Sequence, residues 1–579
     1  MPLIQLLSHE SVAAYHPYEF RFFFLVKQIS RLETVVLIGR TQKMDPLIVL
    51  AILGIGVLIY LYIAEKYRFF KYRNMPYVKP TFLLGNTAPV LFKRSNLLQH
   101  LQYIYDEYPE SKIIGLFDFL KPVMMIRDPD AIKRIGVKDF DHFTDHTPVF
   151  TSPEMEDVGG ESLFGNSLFS MRGQKWRDMR TTLSPAFTGS KIRQMFELVS
   201  TCAESAADFF LTEAKAGRKL EYEMKDVFTR FGNDVIASVA FGIKVDSLRE
   251  RENDFYVKGK AMLNFTTPMT LLKVILFRVA PALTRWMKID ISNPNLLAYF
   301  KGMILDNMHQ REVHGIVRND MIQMMMQLRK GAAQQQNEDP EPKDAGFAAV
   351  DEIPVKKSAH NREWTENELI AQCFLFFLAG FESVSTCLAF VCYELLANLD
   401  VQQKLYEEIL STDKQLEGKP LTFEALQKMP YMDMVVSETL RMWPPAPVID
   451  RFCVKDYVFD DNAGTRVKID KWQTLWFPIA ALHRDPQYYP DPYKFNPERF
   501  SEENRDNINP AAYLPFGVGP RNCIGSRFAL MEVKAIVYNL LKNFTLERTE
   551  KTKIPLRLVE SIVVMQAKDG IWLELKPRK

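Results

Sequence analysis

Cys523 stands in the stretch Phe516-Gly517-Val518-Gly519-Pro520-Arg521-Asn522-Cys523-Ile524-Gly525, directly ahead of an apolar run with helical period. A thiolate in that setting suits an iron held in a flat, doubly anionic macrocycle. Gly517 and Gly519 permit a tight, bulged hairpin whose backbone N–H groups turn toward the sulfur and hold it ionised. Arg521 lies two residues before the cysteine, so in extended chain it points to the same side and reaches a carboxylate of the macrocycle. Gly525 removes a side chain where the next helix approaches the ring. Residues 526–544, with Phe528, Val533, Ile536, Val537, Leu540 and Leu541 near a 3.6 period, predict that helix, and its N-terminus is expected to lower the thiol pKa. A buried structural cysteine beside a Gly-rich turn is the plainer reading of an isolated Cys. The joint pattern argues against it here.

Two further constellations carry charge where helices are predicted. Thr365 and Glu368 form a capping box opening a long apolar helix over 369–396, which is expected to run through the core. Its middle reads Ala379-Gly380-Phe381-Glu382-Ser383, a carboxylate and a hydroxyl that are costly in such a helix unless used. A serine bonded back to the preceding turn is the structural alternative. Glu438-Thr439-Leu440-Arg441 places two charges on one helical face, and Pro444 and Pro445 close the helix just beyond. Taken alone, that spacing describes a surface ion pair.

The decapeptide resembles the haem-binding signature of the cytochrome P450 superfamily, the haem-thiolate monooxygenases. That pattern is Phe-x-x-Gly-x-Arg-x-Cys-x-Gly, met by Phe516, Gly519, Arg521, Cys523 and Gly525. The resemblance implies haem b with Cys523 as the axial thiolate. It implies that Glu382 feeds protons and Ser383 holds the reacting oxygen by a hydrogen bond, with a local opening of the helix beside Gly380. Where the family usually has Thr, this chain has Ser383, and the missing methyl frees the rotamer, so leakage to peroxide is expected. The resemblance pairs Glu438 and Arg441 with Arg499 of Pro497-Glu498-Arg499-Phe500, as a buried network that locks the thiolate segment. It also supplies propionate partners in Trp176, Arg180, Arg451 and Arg521, with Phe516 and Gly525 bounding the haem. The motifs keep the family's order from about residue 76 onward, so the implied fold is mainly α with a small β portion. The wording around 377–383 and 430–434 is similar to insect microsomal members of the detoxifying branch.

The implied reaction is monooxygenation. One atom of O2 enters a lipophilic substrate, with electrons from NADPH through NADPH-cytochrome P450 reductase and cytochrome b5 as an accessory donor; no dinucleotide-binding glycine motif follows a strand here. Apolar pocket walls are expected from 142–173, from Phe377 and Phe381, from 446–449 and from 561–564. Competing readings are a haem-thiolate isomerase or dehydratase working without external electrons, and a non-enzymatic haem or ligand carrier on a membrane.

The 579 residues, 47% of them apolar, suit one large catalytic domain, and a net charge of +2 without a basic aromatic tract gives no sign of nucleic acid. Six cysteines without paired spacing read as reduced thiols. Residues 47–64 form an uncharged run long enough to cross a bilayer, followed by Lys66, Arg68, Lys71 and Arg73. The organisation expected is therefore an N-terminal extension (1–43, disordered or an upstream start), a transmembrane anchor (44–65), a basic, proline-rich hinge (66–80) and a catalytic domain (81–579). That places the protein as a single-pass protein of the endoplasmic reticulum membrane with its catalytic domain cytoplasmic. Within the domain, 331–363 has little to bury and reads as a flexible surface linker. Residues 269–283 carry only Lys273 and Arg278 among apolar residues, are too short to span, and are expected to dip into the bilayer surface, with a buried core helix as the alternative.

Overall fold

The computed structural model describes residues 46–578, except 149–161, 264–266, 280–282, 285–286, 288, 290–292, 319, 330–345, 356–361, 462 and 561–564. Two compact units emerge, Met1–Lys66 and Tyr67–Lys579. In the first, helix α1 (Pro46–Lys66) presents Leu47, Leu50, Leu53, Leu58 and Tyr62 on all sides, all exposed. A helix apolar all round, buried only at Ile63 near its end, has the character of a membrane span. The expected extension, 1–43, lies outside the described residues.

The second unit is mainly helical. The helices that set up the site are α2 (Gly173–Leu183), α3 (Gly189–Lys215), α4 (Met224–Phe241), α5 (Pro268–Val279), α6 (Glu366–Ala397), α7 (Pro430–Met442) and α8 (Ser526–Asn543). The capping box that opens α6 is present, with Glu368 N–H donating to Thr365 Oγ1 at 3.3 Å and Thr365 N–H to the Glu368 carboxylate at 2.8 Å. From there α6 runs through the core as expected, burying Leu369, Phe374, Phe377, Phe381, Leu388, Val391 and Leu395. Helix α4 lies so close along it that a Cβ on Gly380 would sit 2.4 Å from Ile236 Cδ1. A larger residue at Gly380 would therefore have to displace the end of the Ile236 side chain.

The β portion is small. Strands β1 (Ile113–Asp118), β2 (Lys121–Ile126), β3 (Glu221–Glu223), β4 (Ile449–Phe452), β5 (Tyr457–Asp460), β6 (Arg466–Ile469), β7 (Thr474–Phe477), β8 (Phe544–Glu547) and β9 (Trp572–Pro577) form sheets ordered β1-β2-β7-β4, β3-β9-β8 and β5-β6. The register of β4 on β7 sets Arg451 opposite Leu475 at the sheet's edge.

Two expected loose segments are packed. Within the hinge expected over 66–80, Phe70 and Met75 are buried, and Val78 N–H donates to Gly115 O at 2.9 Å on the edge of β1. An unpaired strand edge and two apolar side chains outweigh the proline stiffness. In the expected linker, 330–345 and 356–361 lie outside the described residues, but 346–355 is docked: Ala348 is buried, and the Phe347 ring lies 5.0 Å from that of Phe500.

Candidate active site

The loop around Cys523 is built by glycine. Gly517 and Gly519 take φ of 84° and 74°, and a Cβ on Gly519 would lie 1.7 Å from Gly136 O, so the loop can press onto residues 134–138 only with glycine there. Cys523 N–H closes the hairpin onto Phe516 O at 2.9 Å, and Asn522 N–H bonds Gly519 O at 2.9 Å. Among six free cysteines, Cys373, Cys387, Cys392 and Cys453 are buried, whereas Cys523 keeps an exposed side chain. Its protein flank is nonetheless dense, and burial pushes the thiol pKa up against the Gly525 backbone N–H and Arg180, which pull it down. The expected lowering by the α8 N-terminus is therefore overcome by desolvation.

A second layer locks this loop. Arg441 Nε and Nη2 donate to the two oxygens of Glu438 at 2.7 and 2.9 Å, and both side chains are fully buried. Arg499 approaches Glu438 at 3.4 Å, while Asn496 N–H donates to the same oxygen at 2.9 Å. The expected three-residue network is present, and it extends to a residue the sequence did not flag. Arg441 Nη1 donates to His483 O at 2.7 Å, and Leu514 N–H donates to His483 Nε2 at 2.9 Å. Leu514 O in turn accepts Gly517 N–H at 3.1 Å, at the start of the cysteine hairpin. Because Nε2 accepts, His483 is neutral with its proton on Nδ1, facing Arg441 O. Burial drives its pKa down to about 3, with Arg441 and Arg484 adding to the effect.

The cations expected near the ring cluster as follows. Arg521 is buried over the Trp176 ring at 4.2 Å; its Nε donates to Thr144 O at 2.7 Å and its Nη2 to Met171 O at 2.6 Å. Arg451 donates to Asp450 O and Val518 O, both at 2.8 Å, and its buried Nε has no partner among the described residues. Burial lowers the Arg521 pKa to about 9, offset by Asp145, with Arg451 and Arg180 lowering it further; burial lowers Arg451 to about 10. Nearby, His146 Nδ1 meets Asp450 at 2.9 Å, a contact the sequence did not announce. Arg180 also has protein partners: its Nε and Nη2 donate to the two oxygens of Glu352 at 2.8 and 2.6 Å, and its Nη1 and Nη2 to Asn522 O and Oδ1, each at 2.8 Å.

On α6, Glu382 and Ser383 point apart. Ser383 is exposed, in a stripe with the exposed Ala379 and half-buried Leu375 at i, i+4 and i+8, and its hydroxyl donates back to Ala379 O at 2.6 Å. Glu382 faces α4, where Lys225 Nζ binds its carboxylate at 2.9 Å. The same ammonium donates to Ser385 Oγ at 2.7 Å, Thr386 Oγ1 at 2.8 Å and Glu382 O at 3.2 Å. Lys225 escaped the sequence reading, although a lone cation in the first turn of a helix, against the macrodipole, was a signal.

The Cytochrome P450 family model matches residues 75–573. The chain belongs to the cytochrome P450 family. It is 43% identical over 524 residues to probable cytochrome P450 9f2 of Drosophila melanogaster, covering 90% of this chain and 98% of that protein. With cytochrome P450 9e2 of Blattella germanica it shares 40% over 541 residues, covering 91% and 97%.

Cytochromes P450 are haem-thiolate monooxygenases that carry haem b on a cysteine thiolate. The residues present fit that group. Cys523 is the one exposed cysteine, set in the glycine hairpin, and the buried guanidinium groups of Arg521 and Arg451, the latter with an orphaned Nε donor, form a cationic pair suited to two carboxylates. The pocket walls expected at 561–564 and over 149–161 lie outside the described residues; Phe377 and Phe381 are buried in the α6 core.

Proposed function

We propose that this cytochrome P450 inserts oxygen into a lipophilic organic compound, xenobiotic or lipid-like, with electrons from NADPH delivered by a reductase and cytochrome b5 as an accessory donor. The accessible sulfur of Cys523 in its glycine hairpin carries the reading. Cys523 would hold the haem iron through its thiolate, Arg451 and Arg521 would hold the propionates with Trp176 against Arg521, and Phe516 and Gly525 bound the loop. Haem b, when bound, supplies the activation of dioxygen that puts one oxygen atom into substrate and the other into water.

The chain's own groups manage protons and position. Glu382 releases its contact with Lys225 to pass a proton, and Ser383 turns its hydroxyl from Ala379 O toward the opening. Neither motion breaks the core, because Ser383 is exposed and the Glu382 carboxylate is partly so. Glu438, Arg441 and Arg499 hold the thiolate segment. Helix α1, followed by Lys66, Arg68 and Lys71, supports a single-pass endoplasmic reticulum anchor with the catalytic domain cytoplasmic. Helix α5 leaves Met269, Leu272 and Val279 exposed while Arg278 pins it to Asp118 at 2.6 Å, which supports its lying on the bilayer surface and admitting substrate from lipid.

The reduced carbonyl difference spectrum tests this function. The long-wavelength band of a thiolate-bound ferrous haem is expected in the native protein and in Cys453→Ala, and absent in Cys523→Ala; a persisting band in the last would overturn the assignment. The back-bonded Ser383 favours one alternative, an isomerase or dehydratase acting on a peroxidised substrate. Turnover by purified protein without NADPH and reductase would establish that chemistry instead.

A further inference from the structure

Residues 346–355 are poor in motif, yet they are tied down at both ends. At one end, Phe347 N–H donates to Asp433 Oδ2 at 2.8 Å, and Asp433 is paired with Lys534 of α8 at 2.8 Å. The Phe347 ring contacts those of Phe500 and Tyr513 at 5.0 and 5.5 Å, and Ala348 is buried. At the other end, Asp351 O accepts from Asn522 Nδ2 at 2.9 Å. Glu352 grips Arg180 with both oxygens and accepts from Ser184 Oγ at 2.7 Å. Arg180 completes the circuit by donating to the carbonyl and side-chain oxygens of Asn522, each at 2.8 Å.

Asn522 immediately precedes Cys523. Its two side-chain polar atoms and its carbonyl are therefore held from outside the hairpin, by α2 on one side and by residues 351–352 on the other. Arg180 and Asn522 are buried, so these charge-assisted bonds operate away from bulk water, where each counts for more. The haem-facing role expected of Arg180 does not by itself account for this arrangement, in which four of its five N–H groups donate to Glu352 and Asn522. We propose that residues 346–352 are a strap across the thiolate loop and that Glu352 is a positioning residue, which holds Arg180 against Asn522 and thereby fixes Cys523 for ligation. The proposal rests on Cys523 being the axial thiolate.

The test compares Glu352→Gln and Glu352→Ala with Asp351→Asn in the full-length, haem-loaded protein. The Asp351 side chain is 96% exposed and reaches only Arg527 Nη2, at 3.4 Å, while its carbonyl takes Asn522, so Asp351→Asn is the matched loss of charge at a solvent-exposed pair. The measurements are the rate at which the long-wavelength carbonyl band converts to the short-wavelength, thiol-ligated form in mild denaturant, the ferric/ferrous midpoint potential, and Tm. The expected result is conversion about tenfold faster in both Glu352 variants, from the loss of a charge-assisted pair, with a displaced potential and with Asp351→Asn unchanged. Glu352→Gln keeps the side chain's shape, so it serves if Glu352→Ala incorporates no haem. Native conversion rate and potential in Glu352→Gln would overturn the strap, as would an equal effect from Asp351→Asn. Absence of the long-wavelength band in the native protein would instead remove the thiolate assignment beneath it.

Discussion

The thiolate side of the site, around Cys523, and the proposed oxygen side, on α6, are built to different rules. Around Cys523 almost every polar atom is committed: Glu438, Arg441, His483, Leu514 and Asn522 form hydrogen-bonded chains that end at the hairpin. On α6, by contrast, the Ser383 hydroxyl bonds back to its own helix, and the partly exposed Glu382 carboxylate takes Lys225 Nζ at 2.9 Å and Thr386 Oγ1 at 3.4 Å. An axial ligand must keep its geometry through every cycle, so rigidity serves it. A proton relay must exchange partners, and contacts that swap at little cost serve that.

The largest effect should come from breaking the rigid side at its centre. Glu438→Ala leaves Arg441 buried, uncompensated and fully inaccessible, at a cost of about 3–5 kcal/mol. Urea unfolding should report that loss together with failure of haem retention. A fall below about 1 kcal/mol would mean that the network does not lock the hairpin.

Next in size is a pH effect carried by His483. Its pKa lies near 3 in the folded chain and near 6.5 in the unfolded one, so the folded state refuses a proton that the unfolded state accepts. Stability from this group is therefore complete above pH 6.5 and declines as pH falls from there toward 3, by about 1.4 kcal/mol per unit. Protonation would also cost Nε2 its acceptor role toward Leu514, which connects acid sensitivity to the cysteine hairpin. Urea midpoints for native protein and His483→Gln at pH 7.5 and 5.5 check this; the variant should be weaker at the higher pH but lose less on acidification. Parallel losses would place the acid sensitivity elsewhere.

What could be read from the chain follows from sequence distance. The cysteine hairpin, the Thr365 capping box and the Glu438–Arg441 pair are local patterns in which spacing alone dictates geometry, and each is present. The fold class was legible for the same reason, since helical periodicity and the order of motifs survive in one dimension. His483, Lys225 and Glu352 were not legible, because each acts through a partner far along the chain: Leu514, Glu382 and Arg180. The docked residues 346–355 were misjudged on composition, since two side chains, Phe347 and Ala348, suffice to seat a strap whose average is polar.

The oxygen side supplies the smaller effects. Lys225→Met removes the ammonium bound to Glu382, Ser385 and Thr386 while keeping its bulk, so α4 and α6 should stay packed and lose about 1–2 kcal/mol. The freed carboxylate should alter the share of NADPH consumed as peroxide several-fold, whereas thermal inactivation of the thiolate ligation should barely move. A variant that lost the long-wavelength carbonyl band would erase the contrast between the two sides.

Ser383→Thr should have the least effect on stability and is the most informative about chemistry. The added methyl meets an exposed stripe of α6, so packing offers no penalty, and Thr can keep the bond to Ala379 O that Ser383 makes at 2.6 Å. The methyl removes rotamer freedom, so the hydroxyl spends more of its time in one orientation. If that orientation faces the opening, peroxide per NADPH should fall by about twofold, a difference near RT and typical of a rotamer bias. If it faces Ala379 O, peroxide should rise by a like amount. Unchanged coupling in both Ser383→Thr and Ser383→Ala would show that the hydroxyl is a helix-surface group alone, and that protons reach the site through Glu382 without it.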